Sequence, residues 1–348
     1  MASVNSIFEA HISDYGRNTA SDVSVYVEQG IGKACATGLT YNTESIYATA
    51  HTNLNIDGPT LVETPPNVLG IVDDGWQRWL TDLGLAGPDK GKGGNTTHPR
   101  DVTYFDLLNK VAQYEPASAF TPYQLGLLKA LGIEKGKPFS PDARMKALLA
   151  EGVVIGDSIA KANAYANRLE GARRYPDRKY EYLFIGGRHD FMSGDALWLD
   201  ARTLFHYEAI VVTPAMTRKM VGVGSQYLAA YRDADNNFLM GDHTYKLRLP
   251  KGIPARNFWS VTAYHPDTRS LLQNGQGKPS VSMYGQPEVN ADGSIDIWLA
   301  PQAPAGREKN WIRTLPGEGW EILFRLYGPL EPYFDKTWVP DDIVKVTD

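Results

Sequence analysis

Hydrophobic and polar residues follow three different patterns along the chain, and each pattern predicts a different kind of structure. Residues 1–98 contain short, partly alternating segments separated by Gly-Pro and Pro-Pro turns, which is typical of β-strands. Residues 99–175 carry apolar residues at helical spacing, with Pro122 and Pro141 where helices would begin. This middle part predicts three helices between residues 99 and 169.

The third pattern, over residues 176–348, predicts a sandwich of short antiparallel strands. The string YEYLFIGG predicts a strand, residues 196–222 predict one long helix, and a series of strand-like segments follows. Turns between these segments are marked at Asp235-Asn236-Asn237, Asp292-Gly293 and Pro316-Gly317. The predicted fold class is α+β, with a β-rich N-terminal domain (1–98), a helical middle segment (99–175) and a C-terminal antiparallel β-sandwich of jelly-roll type (176–348).

The segment GWEILFRLYG shows the alternation of a strand most clearly. Its even-numbered residues, from Trp320 to Leu326, are all apolar and predict a core face. Its odd-numbered residues, from Glu321 to Tyr327, include an acid, an arginine and a tyrosine, which could line a groove or form a cross-strand ladder. The ladder is the favoured interpretation because opposite-charge pairs are common between neighbouring strands.

Composition limits the classes of function. A chain of 348 residues exceeds the usual size of one hydrophobic core, and its net charge of −5 gives no general attraction for nucleic acid or a membrane surface. The single cysteine, Cys35, has no partner for an internal disulfide or a cysteine metal cluster. The sequence shows neither a secretory signal nor an apolar run long enough to span a bilayer. We therefore expect a soluble protein, cytoplasmic as written, or periplasmic or secreted if an export signal has been removed.

The densest group of chemical side chains lies between Val68 and Gly94, where Asp73 or Asp74 could cap a short helix that carries Trp76, Trp79 and Leu80 on one face. Trp76, Arg78 and Trp79 could line a ligand pocket, because arginine can grip a carboxylate or phosphate while indole rings stack against an organic surface. A corner packed by tryptophan and tied by an ion pair is the more common arrangement. The neighbouring carboxylates are weak candidates for catalytic acids: Asp73, Asp74 and Asp82.

A second group of candidates lies in the predicted sandwich, where Tyr264, Arg269 and Arg325 could bind an anionic ligand. The leading hypothesis is a hydrolase-like enzyme that acts on a small polar or acidic molecule at the junction of the two domains, where pockets often form. One alternative is a noncatalytic module that binds carbohydrate or another small ligand. Another is an oligomeric structural protein, and a homo-oligomer is expected in either case.

The sequence predicts no cofactor. Asp233, Asp235 and Asn237 have the alternating oxygens of a calcium loop but lack its glycine and terminal glutamate, so a hairpin turn is the favoured interpretation. The histidines show no spacing that would place two of them on one metal. The chain also lacks the GxSxG elbow and the phosphate-binding GxxxxGK[ST] motif.

Several strings resemble the paired domain-of-unknown-function families DUF1254 (N-terminal) and DUF1214 (C-terminal). They include GLAGPDKGKGG, IEKGKPFSPDARM, DARTLFHYEAIVVTPAM, FWSVTAYHPDTRSLL and GWEILFRLYGPLEPYFDKTW. The resemblance covers roughly residues 40–340 and implies a β-rich first domain, a helical segment and a jelly-roll-like sandwich, with no settled reaction. The first domain looks shortened, because Gly94 is followed almost at once by Thr97-His98-Pro99, and Glu44 stands where the resemblance implies an aspartate.

Overall fold

The computed structural model describes residues 101–209 and 212–346, together with the backbones of four earlier strands. These strands form two antiparallel pairs, and their bounds are β1 (Ser24–Val27), β2 (Ala48–His51), β3 (Leu69–Asp73) and β4 (Trp79–Gly84). The sequence predicted a short helix carrying Trp79 and Leu80 in this region. That prediction is wrong, because both residues lie in β4, which pairs along its length with β3.

The helical segment is confirmed, and its three helices are α1 (Thr103–Tyr114), α2 (Pro122–Ala130) and α3 (Ala143–Tyr165). Helix α2 begins with Pro122 after a capping box, in which Thr121 and Gln124 exchange side-chain and backbone hydrogen bonds. Asp142 caps the start of helix α3, where its Oδ1 accepts a hydrogen bond from the Met145 backbone at 2.7 Å. The polar and proline residues therefore set these boundaries.

A small hydrophobic cluster joins α1 to α3. Phe105 of α1 packs there with Leu149 and Val153 of α3. These two α3 residues lie on one face of the helix, as the spacing of four requires. The opposite side of α3 is exposed over most of its length.

Two predictions for residues 180–222 are wrong. The string YEYLFIGG does not form a continuous strand, because only Glu181 forms β-bridges, to Arg173 and Ala229, and the chain then turns at Gly186 and Gly187, whose φ angles are 84° and 66°. The expected long helix is divided into α4 (Leu199–Glu208) and α5 (Pro214–Thr217). Helix α4 ends because Ala209 is extended, with φ −140° and ψ 175°. A short hairpin, β5 (Met192–Ser193) with β6 (Ala196–Leu197), precedes α4.

The remaining strands form two four-stranded sheets. Sheet I is antiparallel, with the order β10 (Ser280–Ser282), β9 (Ala255–Tyr264), β13 (Glu321–Pro329), β7 (Ser225–Ala230). Sheet II has the order β12 (Trp311–Arg313), β11 (Ile295–Ala300), β8 (Tyr245–Leu249), β14 (Val344–Lys345). It is mixed, because β12 runs parallel to β11. The α+β class is confirmed, while the jelly-roll topology stays a prediction.

The main core includes residues of both sheets. The even-numbered residues of β13 lie in it, together with Leu247 of β8 and Ile297 of β11, and Phe324 is fully buried. The predicted core face of this strand is therefore confirmed. No helix within the described residues has the length and apolar character needed to cross a membrane.

The last described residues bind back onto the sandwich. Strand β14 covers the edge of β8, and the Ala234 backbone N–H donates to the Ile343 carbonyl at 2.8 Å. Helix α6 (Glu331–Phe334) connects β13 to this segment. The Tyr180 hydroxyl also donates to the Asp341 carbonyl at 2.9 Å. The C-terminal segment thus contacts parts of the fold that are distant in sequence.

Candidate functional site

The face of sheet I that points away from the main core is also buried. It carries the odd-numbered residues of β13, and Glu321, Leu323 and Arg325 are only 2–3% exposed. Leu323 lies in a second hydrophobic cluster with Leu204 and Phe205 of α4. Because α4 covers this side of the sheet, we call it the helix-covered face.

The neighbours of Arg325 on this face are uncharged. The strand register places Tyr227 of β7 and Ser260 of β9 beside it, while Tyr264 of β9 lies opposite Glu321. The predicted ladder of opposite charges between strands is therefore wrong. Arg325 lies instead among tyrosine and serine side chains beneath a helix, where solvent is excluded.

Two buried glutamates from different elements interact on the helix-covered face. Glu208 is the last residue of α4 and Glu321 is the first residue of β13, and they are 1% and 2% exposed. The Tyr231 hydroxyl donates to Glu208 Oε2 at 2.6 Å. The remaining oxygens, Oε1 of Glu208 and Oε2 of Glu321, have no hydrogen-bond partner among the described residues.

Tyr165, at the end of α3, contacts Glu321 through its hydroxyl group. The hydroxyl donates to the Pro266 carbonyl at 2.8 Å and more weakly to Glu321 Oε1 at 3.5 Å. A tyrosine hydroxyl has a single proton, so the shorter bond to Pro266 is the stronger of the two. The contact with Glu321 favours the ionised carboxyl and lowers its pKa, although burial has the larger effect.

Burial changes the ionisation of both carboxyl groups. It raises the pKa of Glu321 from its ordinary 4.5 to about 8. The pKa of Glu208 is raised well above its usual value, first by burial and then by the negative charge of Glu321. Burial and the charge of Glu208 likewise raise the pKa of Tyr231, so this tyrosine remains a hydrogen-bond donor at neutral pH.

Arg269 supplies the positive charge of this cluster. Its side chain is fully buried, its guanidinium lies 4.1 Å from the Tyr207 ring centre, and its Nε donates to the Tyr207 carbonyl at 3.0 Å. Its charge lowers the pKa values of both glutamates, although burial has the larger effect. Two carboxyl groups and one guanidinium are electrically neutral when one of the two carboxyls is protonated. The cluster can therefore hold and release one proton near neutral pH.

The backbone of Arg269 is unusual. Its φ angle of 56° lies in the left-handed region, which is uncommon for a residue other than glycine. Its N–H donates to the carbonyl of His265, and its guanidinium also donates to the carbonyl of Asp267, so the loop folds tightly around its own arginine. Such conformations persist where surrounding contacts hold them in place.

A second polar group surrounds Arg325 farther along β13. Its guanidinium lies 5.4 Å from the Tyr264 ring centre and 5.9 Å from that of Tyr227. Burial raises the pKa of Tyr264 to about 12, so its hydroxyl stays protonated. The fully buried hydroxyl group of Ser260 lies on the same face and has no hydrogen-bond partner among the described residues, and the Thr262 hydroxyl lies beside Tyr264. This combination of a cation and hydroxyl groups could bind an anionic or polar ligand.

The structure brings the predicted C-terminal candidates together. Tyr264 contacts Arg325 and lies opposite Glu321, and Arg269 acts on Glu321 through its charge. The two glutamates were not predicted as acids. The available signal was a carboxylate inside an apolar run, FHYEAI for Glu208 and WEILF for Glu321.

The N-terminal candidates cannot be compared in the same way. Asp73, Trp79 and Asp82 lie in β3 and β4, where the backbone alone is described. Asp74, Trp76 and Arg78 lie outside the described residues. Their proposed roles as acids or pocket residues stay predictions.

The calcium-like string forms a tight turn. Asp233 Oδ1 accepts a hydrogen bond from the Asn237 backbone at 2.8 Å, and Asn236 takes a positive φ of 71°. Within the described part of the chain, no group of three or more His, Cys, Asp or Glu residues is arranged to hold a metal ion. The turn alone accounts for Asp233 and Asn237, while Asp235 is exposed.

Comparisons with known proteins agree with the C-terminal resemblance. Residues 224–331 match the model of the family described as "Protein of unknown function (DUF1214)". The VPA0106 protein from Vibrio parahaemolyticus is 18% identical, with a TM-score of 0.37. The match covers 75% of this chain and 60% of the Vibrio chain. A putative uncharacterized protein from Burkholderia cenocepacia is 15% identical, with a TM-score of 0.27. The match covers 64% of this chain and 47% of the Burkholderia chain. This chain thus spans about half to three fifths of those two proteins, and no curated protein matches it.

Proposed function

We propose that the protein is an acid–base enzyme, hydrolase-like in its chemistry, that acts on a small polar or acidic molecule. Glu321 and Glu208 form its proton-transfer pair, and Arg325 binds an anionic group of the substrate. The observation that carries this proposal is the surplus of buried carboxyl groups over buried arginine in the cluster around Arg269.

A purely structural role explains this surplus poorly. One buried carboxylate and the Arg269 guanidinium together carry no net charge, so they need no added proton. The second carboxyl group must stay protonated to remain buried. Holding Glu321 at a pKa of about 8 therefore reduces stability at neutral pH. Groups of this kind are concentrated in active sites, where a pKa near the working pH favours proton transfer.

Each neighbouring side chain has a distinct role in the proposed reaction. Glu321 donates or removes the proton, and Glu208 is kept protonated by burial and by the negative charge of Glu321. Tyr165 and Tyr231 orient the two carboxyl groups through the hydrogen bonds described above. Arg325 lies four residues from Glu321 on the same face, roughly 13 Å along the strand. A small acid bound at Arg325 would extend from there towards the carboxyl pair.

Chromogenic substrates test this proposal directly. A panel of nitrophenyl esters, phosphates and glycosides, each with and without a carboxylate, is assayed with the parent protein and with Glu321→Gln. We expect turnover of the carboxylate-bearing members of one class, a kcat/KM profile with an inflection near pH 8, and a loss of about 10²-fold or more in the variant.

The matched control is Glu170→Gln, which removes an exposed carboxylate of the same chemical type. It is expected to retain the parent activity. Equal activity of the parent and Glu321→Gln on every substrate that is turned over would contradict the assignment of Glu321. An absence of turnover across the whole panel would remove the support for hydrolysis.

A noncatalytic carbohydrate-binding module is the second candidate, and an aromatic group at the far end of β13 favours it. Phe258 and Tyr327 stack with ring centres 4.3 Å apart and planes 14° apart, and Tyr284 lies 5.1 Å from Phe258. Tyr284 is 56% exposed, so its ring is available to a sugar. Titration with a panel of oligosaccharides, using Tyr284→Ala as the variant, separates this candidate from the enzyme, because Glu321→Gln would leave such binding unchanged.

The finer family assignment is also a proposal. We propose that residues 1–98 form a shortened DUF1254-like domain and that residues 176–348 form a jelly-roll-like sandwich, with residues 99–175 as the helical connection. The strings quoted above and the pairing of β1 with β2 and β3 with β4 support this division. Limited proteolysis followed by mass spectrometry would test it, with cleavage expected first near residue 98 and at the exposed Glu170-Gly171, just before residue 175.

A further inference from the structure

The cluster of Glu208, Glu321 and Arg269 contains three buried polar atoms that have no hydrogen-bond partner within residues 101–209 and 212–346. They are Oε1 of Glu208, Oε2 of Glu321 and Nη2 of Arg269. The three side chains are at most 2% exposed, so bulk water does not reach these atoms. Leaving one such atom unpaired in a protein interior costs stability, and native folds rarely do so. Three in one cluster therefore point to a bound partner.

The other polar atoms of the three side chains are already used. The Tyr231 hydroxyl donates to Oε2 of Glu208. The Tyr165 hydroxyl contacts Oε1 of Glu321. Nε and Nη1 of Arg269 donate to two backbone carbonyls. Each of the three side chains thus has one polar atom left to bond.

Tyr165 brings the three side chains together. Its ring lies edge-on to Tyr231, with 5.0 Å between the ring centres, and to Tyr207 at 6.1 Å. Tyr231 binds the first glutamate, the Tyr207 carbonyl binds the arginine, and Tyr165 itself contacts Glu321. After burial, the charge of Glu321 is the next cause that raises the pKa of Glu208, so the two carboxyls are near each other. The three unpaired atoms therefore belong to one small region of the helix-covered face.

The chemistry of these atoms selects the kind of partner. A carboxyl oxygen accepts a hydrogen bond when it is ionised and can donate one when it is protonated, whereas a guanidinium nitrogen only donates. A chloride ion could bind the guanidinium but not an ionised carboxylate, and an ammonium ion could bind the carboxylates but not the guanidinium. A water molecule has two protons and two lone pairs, so it can bond to all three groups. Buried waters typically make about three hydrogen bonds to polar groups that the fold leaves unpaired.

We infer that the protein binds one internal water molecule among Glu208 Oε1, Glu321 Oε2 and Arg269 Nη2. This water accepts a hydrogen bond from the guanidinium and joins the two carboxyl groups, which come from α4 and β13 and are held by different tyrosines. The inference rests on the unpaired atoms of the cluster and is independent of the proposed enzyme activity.

A crystal structure of the full chain at atomic resolution tests this inference directly. We expect one ordered water oxygen within about 3.2 Å of all three atoms. Glu321→Gln keeps a polar atom at the same place, so the water should remain in that variant. Absence of a water at this position in the parent would overturn the inference, and so would a direct hydrogen bond between Glu208 Oε1 and Glu321 Oε2.

Magnetic relaxation dispersion of oxygen-17 water provides an independent test in solution, because it counts the long-lived internal waters. Glu321→Met removes a hydrogen-bond partner, and its terminal methyl group takes up part of the space of the water. The count should therefore fall by one relative to the parent. Thr314→Val is the matched control, since it removes a fully buried hydroxyl that already donates to the Gly241 carbonyl at 2.9 Å, and it should leave the count unchanged.

The two variants separate loss of this water from a general effect of removing a buried polar group. Equal counts in the parent and Glu321→Met would contradict the site, and so would an equal fall in Glu321→Met and Thr314→Val. Near-ultraviolet circular dichroism shows whether each variant is folded. If Glu321→Met does not fold, the crystal structures of the parent and Glu321→Gln decide the question.

Discussion

Replacing Glu321 with glutamine should make the protein more stable at pH 8, in contrast to the usual effect of changing a buried charged residue. Burial raises the pKa of this carboxyl from 4.5 to about 8. The folded state thus holds the proton more tightly than the unfolded state does. The contribution of the Glu321 carboxyl to the stability of the fold is fully present below pH 4.5. It is lost progressively as the pH rises to 8, and it changes no further above pH 8.

The size of the effect follows from the pKa difference. A rise from 4.5 to about 8 corresponds to about 5 kcal/mol at 1.36 kcal/mol per unit. Glutamine keeps the shape of the side chain but needs no proton to stay neutral, and it removes the negative charge that raises the pKa of Glu208. Because the two carboxyls share one titration, we expect about 2–4 kcal/mol of this loss to be recovered at pH 8.

Thermal unfolding followed by circular dichroism between pH 5 and pH 9 measures this effect. The parent is expected to lose stability across pH 5–8, while Glu321→Gln shows a much flatter profile and melts about 4–8 °C above the parent at pH 8. Glu170→Gln, at an exposed position, should follow the parent. A parent profile that does not change over this range, or a variant less stable than the parent at pH 8, would refute the raised pKa of Glu321.

Three further predictions concern the surroundings of the site. Arg269→Met removes the charge that lowers the pKa of both glutamates, so the fall in stability with rising pH should extend to higher pH in the same melting experiment. Phe324→Ala empties a fully buried position of the main core and should cost about 3–5 kcal/mol in urea unfolding, with no change in the pH profile. Gly224→Ala should reduce stability by about 2 kcal/mol or more. The φ angle of Gly224 is 71°, and the added Cβ would lie 2.2 Å from the Ala215 carbonyl oxygen. The yield of folded protein and its urea midpoint measure this loss.

Much of the fold could be predicted from the sequence because its periodicity has a local cause. The alternation in β13 identified the core face from Trp320 to Leu326, and Pro122 and Asp142 stood at the starts of helices. The errors arose in apolar runs that are compatible with more than one buried structure. The run Leu183–Ile185 is buried within turns, and residues 196–222 are divided at Ala209. No periodic pattern of apolar residues in the sequence marks the buried turns or the break at Ala209.

The candidate site was predictable only in part. Arginine and tyrosine were recognised as binding residues, and the structure places Tyr264 beside Arg325. The meeting of Glu208 with Glu321 depends on α4 lying across sheet I, a contact between residues more than a hundred positions apart. A glutamate in a strand is usually an exposed residue, and the sequence alone does not show that a helix covers it.

The C-terminal segment has a consequence for how the chain is made. Strand β14 and Ile343 bond to β8 and to Ala234, so the edge of sheet II stays open until these residues have left the ribosome. A nascent chain that stops before residue 343 exposes the unpaired backbone of β8, which is a surface that chaperones and proteases recognise. Closure by β14 therefore distinguishes a finished sandwich from an interrupted one, and prematurely terminated products should be removed rather than accumulate.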